Sequence, residues 1–102
     1  MDTIFSSDSA IHVNIMIHRG GHTIVAYKAK PLFEGPRGFC MDKIRHLIDE
    51  LSSQGNKQIV FHLQVMMAGD LNGMSDKGYY IRNLERMNTS CGIEVKSGLY
   101  KV

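Results

Sequence analysis

The sequence predicts a single α/β (or α+β) domain in the order ββαβαβ, built as a mixed four- or five-stranded sheet with two helices. Three observations predict it: strictly alternating apolar runs at 10–18 and 58–67, a helical apolar spacing from Met41 to Leu51, and a second helical run after residue 75. The 102 residues, 43% hydrophobic and 22% charged, have ordinary composition for one compact domain. A chain of this length buries roughly two thirds of its unfolded surface, so an added interface contributes noticeably to its stability.

In AIHVNIMIH, Ile11, Val13, Ile15 and Ile17 take one side and His12, Asn14, Met16 and His18 the other, which is the period of a strand. Gly20-Gly21 fits the positive-φ positions of a two-residue hairpin, and TIVAYKAK supplies a second strand. Such a turn sets His18 opposite Thr23, Met16 opposite Val25, Asn14 opposite Tyr27 and His12 opposite Ala29. Pro31 and the GPRG at 35–38 then force a loop, because proline cannot donate to a ladder.

Met41, Ile44, Leu47, Ile48 and Leu51 form the apolar stripe of a helix whose other face carries Asp42, Lys43, Arg45, His46, Asp49 and Glu50. Gly55-Asn56 stops it. Gln58 to Met67 alternates as a third strand, with Val60, His62, Gln64 and Met66 on one side. MAGDLNGMSDKG (67–78) reads as a glycine-rich strand-to-helix loop, with Ser75 the N-cap of a helix of about Asp76 to Met87. Residues 93–96 make a last short strand that SGLYKV extends past a turn. The crossover helices are long enough to make the later strands parallel. The order resembles that of ribonuclease-H-like and related α/β domains, a likeness of element order alone, and fold does not give function.

Residues 1–9 read as a flexible N-terminal segment, and 10–102 as the domain. MDTIFSSDSA lacks the basic and long apolar regions of a signal peptide, and no apolar run approaches the ~18 residues of a membrane span, so the expectation is a cytoplasmic protein with no membrane partner. Cys40 and Cys91 lack C-x-x-C spacing, and two free thiols are expected. Cys40 precedes the first helix, where amide dipoles can activate a thiol, but an inert buried cysteine beside Phe39 is the commoner case. The net charge of +2 does not announce a nucleic-acid binder. Nucleic acid has in its favour only the excess of Lys77, Arg82, Arg86, Lys96 and Lys101 over Glu85 and Glu94, which a solvated helix face explains as well.

One predicted sheet face carries no permanent charge. His12, Asn14, Met16, Val25, Tyr27, His62, Gln64 and Met66 define it as a surface that a second copy can cover without stranding buried charges. The competing expectation is a helix of the same chain over that face. In the loop, Asp70, Asn72, Gly73, Asp76 and Lys77 form a candidate contact site, since loops at the carboxyl ends of parallel strands border the crevice where ligands sit. Two carboxylates there repel a bare phosphate, so a polar or basic protein surface suits it better.

Enzyme chemistry finds little footing. There is no G-x-S-x-G, G-x-x-x-x-G-K-[ST] or H-E-x-x-H, and no cofactor motif. His12, His18 and His62 share a face, but His12 and His18 lie roughly 20 Å apart on one strand, so no metal centre is assigned. His62-Leu63-Gln64 resembles the metal motif of rolling-circle replication initiators, which implies a helical tyrosine nucleophile, here Tyr79 or Tyr80; Arg82 stands where that family has a lysine. Only Glu94 and Asp70 offer carboxylates on or beside a strand, too few for two-metal chemistry. No catalytic residue is assigned. The first expectation is a small non-enzymatic binding or regulatory protein, a homodimer through the uncharged face with a further, unidentified protein partner. The alternative is a metal-dependent phosphodiesterase or nuclease using His62, Gln64, Asp70 and Tyr79 or Tyr80.

Overall fold

The computed structural model describes residues 10–97. They form β1 (Ile11–His18), β2 (His22–Tyr27), β3 (Lys30–Gly35), α1 (Arg37–Ser53), β4 (Gln58–Val65), α2 (Leu71–Glu85) and β5 (Gly92–Ser97). The strands make one mixed sheet in the order β3-β2-β1-β4-β5. β1, β4 and β5 are parallel, while β2 runs against both of its neighbours. The predicted flexible segment at 1–9 and the predicted extension of the last strand beyond Ser97 lie outside the described residues.

Two consecutive crossovers, β3-α1-β4 and β4-α2-β5, join parallel strands and step across the sheet in the same direction. Right-handed connections therefore put both helices on one face. The core sits there. Val13, Ile15 and Ile17 of β1, Val25 of β2 and Ile59, Phe61 and Leu63 of β4 meet Cys40, Met41, Ile44 and Ile48 of α1 and Tyr80 and Leu84 of α2. Each large aliphatic side chain so enclosed contributes roughly 1.5–3 kcal/mol. The Tyr80 hydroxyl donates to Thr23 Oγ1 at 2.9 Å, giving the polar tip of a fully buried ring a partner on β2.

The structure has one strand more than the predicted order. Lys28 (φ 52°) and Ala29 (φ 66°) make a two-residue turn that returns the chain as β3. Such a turn needs positive φ at both central residues and is normally marked by Asn or Gly, so a Lys-Ala pair gives no warning. Pro31 is tolerated because β3 is an edge strand.

The first hairpin differs from the prediction by one residue. Its loop is Arg19-Gly20-Gly21, with His18 paired to His22, Met16 to Ile24 and Ile15 to Val25. A one-residue slip reverses the face of a whole strand. Val25 consequently lies in the core, fully buried, and Tyr27 stands on the helix side beside Leu47 and Leu51; neither shares a face with Met16.

The second helix starts earlier than predicted. Asp70, not Ser75, is its N-cap, and the carboxylate accepts the Gly73 N–H at 3.0 Å. Gly73 is no loop glycine: a Cβ there would stand 2.9 Å from Val65 Cγ1, so the residue lets α2 approach β4 closely. Only Gly69, at φ +80°, serves the turn itself.

Candidate protein-interaction face

Because side chains alternate along a strand, the register of the five strands fixes what faces away from the helices. The central rows hold Asn14, Met16, Ile24, Ala26, Val60, His62 and Gln64. Ala26 and Val60 are buried, at 4% and 3% exposure, and the other five are half-buried. No helix lies over this face among the described residues. The predicted grouping of His12, Asn14, Met16, His62 and Gln64 on one side is present, with Ile24 and Ala26 in the places expected for Val25 and Tyr27, while Met66 lies just past the end of β4.

The two outer strands complete the face and change its electrostatics. Glu34 of β3 pairs with Ile24, in the row of Met16 and Gln64. Lys96 of β5 pairs with His62, in the row of Asn14, and Glu94 pairs with Val60, in the row of His12. The centre is thus free of permanent charge and both margins are charged. That distribution is the one found where proteins meet: an apolar or neutral interior surrounded by a polar rim. Glu34 is itself held, accepting from or pairing with His22 Nε2 at 2.7 Å, and Glu94 accepts from Gln58 Nε2 at 3.1 Å.

His12 and His62 meet across β1 and β4. Their rings stack with centroids 5.1 Å apart and planes at 25°, and His12 Nδ1 lies 2.9 Å from His62 Nε2. Burial pulls the His62 proton affinity below the ordinary imidazole value; His12 and Lys96 push the same way, and Glu94 opposes them. This contact was illegible from the hairpin alone, because it depends on the parallel register of β1 with β4. The signal lay in the matched alternation of the two strands, AIHVNIMIH and QIVFHLQV, which can be laid side by side in phase.

Around α2 the predicted contact residues separate. Asp70 caps the helix and Asn72 is exposed in its first turn, beside a depression that also takes in Arg19, Met67 and Leu71. Gly73 and Asp76 are buried. Asp76 accepts from Arg37 Nη1 at 3.1 Å, and the Arg37 guanidinium stands 4.8 Å above the Tyr79 ring, so this carboxylate joins α2 to the start of α1. Lys77 is half-buried on the same helix. Of the five residues, Asn72 and Lys77 remain within reach of a partner.

The geometry also separates the residues of the nuclease alternative. His62 and Gln64 project from the face opposite the helices, whereas Tyr80 is enclosed in the core and Tyr79 stands beside Arg37 between the helices and solvent. The sheet lies between the would-be ligands and the would-be nucleophile. Among the described residues no three histidine, cysteine or acidic side chains converge as a metal site would require. Cys40 donates to the carbonyls of Gly35 and Thr23, and burial pushes its thiol pKa up, with Tyr80 in part opposing, so the amides of α1 do not activate it. No described helix is long and apolar enough to cross a membrane. Compared with protein-family models, characterised proteins and solved structures, the chain matches none.

Proposed function

We propose that this is a small non-enzymatic binding protein that pairs with a second copy of itself through the helix-free face of the sheet. The observation that supports this best is the placement of both helices on one side, which leaves the other with a neutral centre and charged margins. Sheets stack about 10 Å apart with side chains interdigitating, and a neutral centre can be dried without leaving a charge unpaired.

Charge distribution favours a second copy as the occupant. A twofold axis running along the strands turns one sheet face-down over the other and lays β3 of each copy over β5 of its partner. Glu34 on one margin then faces Lys96 on the partner's opposite margin, twice per dimer. Interfaces between identical copies are self-complementary in this way. The exposed first turn of α2, with Asn72, remains outside the paired faces as a contact for a different protein. Met16→Glu tests the reading: a charge at the centre of the face is solvated in the single copy and stranded in the dimer, so light scattering should find wild-type dimers and variant monomers. Wild-type protein that stays monomeric at tens of micromolar contradicts it.

A further inference from the structure

Resting on that pairing, we propose that mild acid separates the two copies, with the His12–His62 pair at the middle of the face as the proton-sensitive element. Four of the chain's five histidines lie on this one face: His12 and His18 from β1, His22 from β2 and His62 from β4. The fifth, His46, is exposed on α1. Among the described residues the other charged groups on the face are Glu34 from β3 and Glu94 and Lys96 from β5. These residues give the face a net charge of −1 with neutral imidazoles (Glu34 and Glu94 against Lys96), and each proton taken up makes it more positive.

The pair itself resists double protonation. At 2.9 Å between His12 Nδ1 and His62 Nε2, one ring nitrogen donates and the other accepts. If both rings are protonated, two N–H groups point at each other with no acceptor between them, and two like charges share a stack 5.1 Å across. In the separated copies, water hydrates the extra proton and the rings can part. Under a second sheet neither relief is available, and the partner's histidines bring the same charge to the same surface.

The sign of the effect follows. Burial, then His12 and Lys96, already depress the His62 pKa, against the pull of Glu94, and a covering sheet buries the ring further. The dimer therefore holds fewer protons than two free copies. Association is at full strength at and above the ordinary histidine value of 6.5 and weakens only as the pH falls through the free copy's lowered His62 pKa, by up to about tenfold in Kd per pH unit for each proton taken up.

Sedimentation equilibrium of the full chain at about pH 7.5 and about pH 5.5, at fixed ionic strength, reads this directly, with far-UV circular dichroism confirming that the fold persists. The wild-type Kd should rise at least about tenfold on acidification. The double variant His12→Gln, His62→Gln, whatever its Kd at pH 7.5, should show a much smaller ratio between its own two Kd values, whereas His46→Gln should behave as wild type. A wild-type dimer whose Kd does not move overturns the pH control and leaves the pairing intact. An equal loss in the double variant overturns the assignment to this pair. A chain that is monomeric at pH 7.5 removes the pairing and the inference together, and unfolding rather than dissociation at pH 5.5 overturns the inference alone.

Discussion

Val25 stands directly opposite Ile15 in the β1–β2 ladder, and both side chains are wholly excluded from solvent. Met16, one residue along, points the other way and is only half-buried. The two positions therefore answer different questions. Val25→Lys places an ammonium in the core with no partner and should cost at least about 3 kcal/mol, enough to unfold much of a marginally stable domain. Met16→Glu should stay within about 1 kcal/mol of wild type when unfolding is followed at a concentration where the chain is monomeric. Urea denaturation of both variants checks the pair. A folded Val25→Lys protein of near-normal stability would mean that β2 is in the other register.

That one-residue difference shows what could be read in advance and what could not. The alternation of β1 and β4, the apolar stripe of α1 and the parallel crossovers were all written in residue periodicity, and the fold class followed from them. The phase between neighbouring strands was not, because Gly20-Gly21 is equally compatible with two- and three-residue loops. β3 was hidden by a turn whose backbone is glycine-like but whose residues, Lys28 and Ala29, are not. The neutral face was legible in outline. Its charged margins were not, since Glu34 sits on the unread strand, and the His12–His62 contact required the pairing of two strands 48 residues apart in register.

Asp70 and Asn72 lie in the same short stretch but should behave differently. Asp70 satisfies the Gly73 N–H as the cap of α2, so Asp70→Ala should lower stability by about 1 kcal/mol. Its second carboxylate oxygen is buried without a hydrogen-bond partner. Asp70→Ser keeps an acceptor for the helix and removes that orphaned oxygen, and should recover most of the loss. Asn72→Ala, on an exposed position, should change stability by less than about 0.5 kcal/mol. Thermal melts of the three variants check the order; equal stability of Asp70→Ala and wild type would show that the cap contributes nothing.

The β2–β3 turn holds a non-glycine residue at each of two left-handed positions, which costs roughly 1–2 kcal/mol per residue for an ordinary L-amino acid. Ala29→Gly removes most of that strain at one of them but adds freedom to the unfolded chain, worth about 0.5–1 kcal/mol in the other direction. The balance should be a gain of about 0.5–1 kcal/mol, seen as a higher midpoint in urea with an unchanged slope. A lower midpoint would indicate that the turn is not strained as its dihedral angles require.

Self-association through the helix-free face is most directly tested by the solution mass of the charge-exchanged variants at about pH 7.5. Glu34→Lys and Lys96→Glu each set like charges against each other across the proposed twofold axis, and each should shift sedimentation equilibrium toward the single-chain mass. Combining them restores opposite charges at both contacts and should return the mass to twice that of one chain. If all three variants and the wild type sediment as single chains, or if the two single variants remain as dimeric as wild type, the copies do not meet with β3 over β5 on this face.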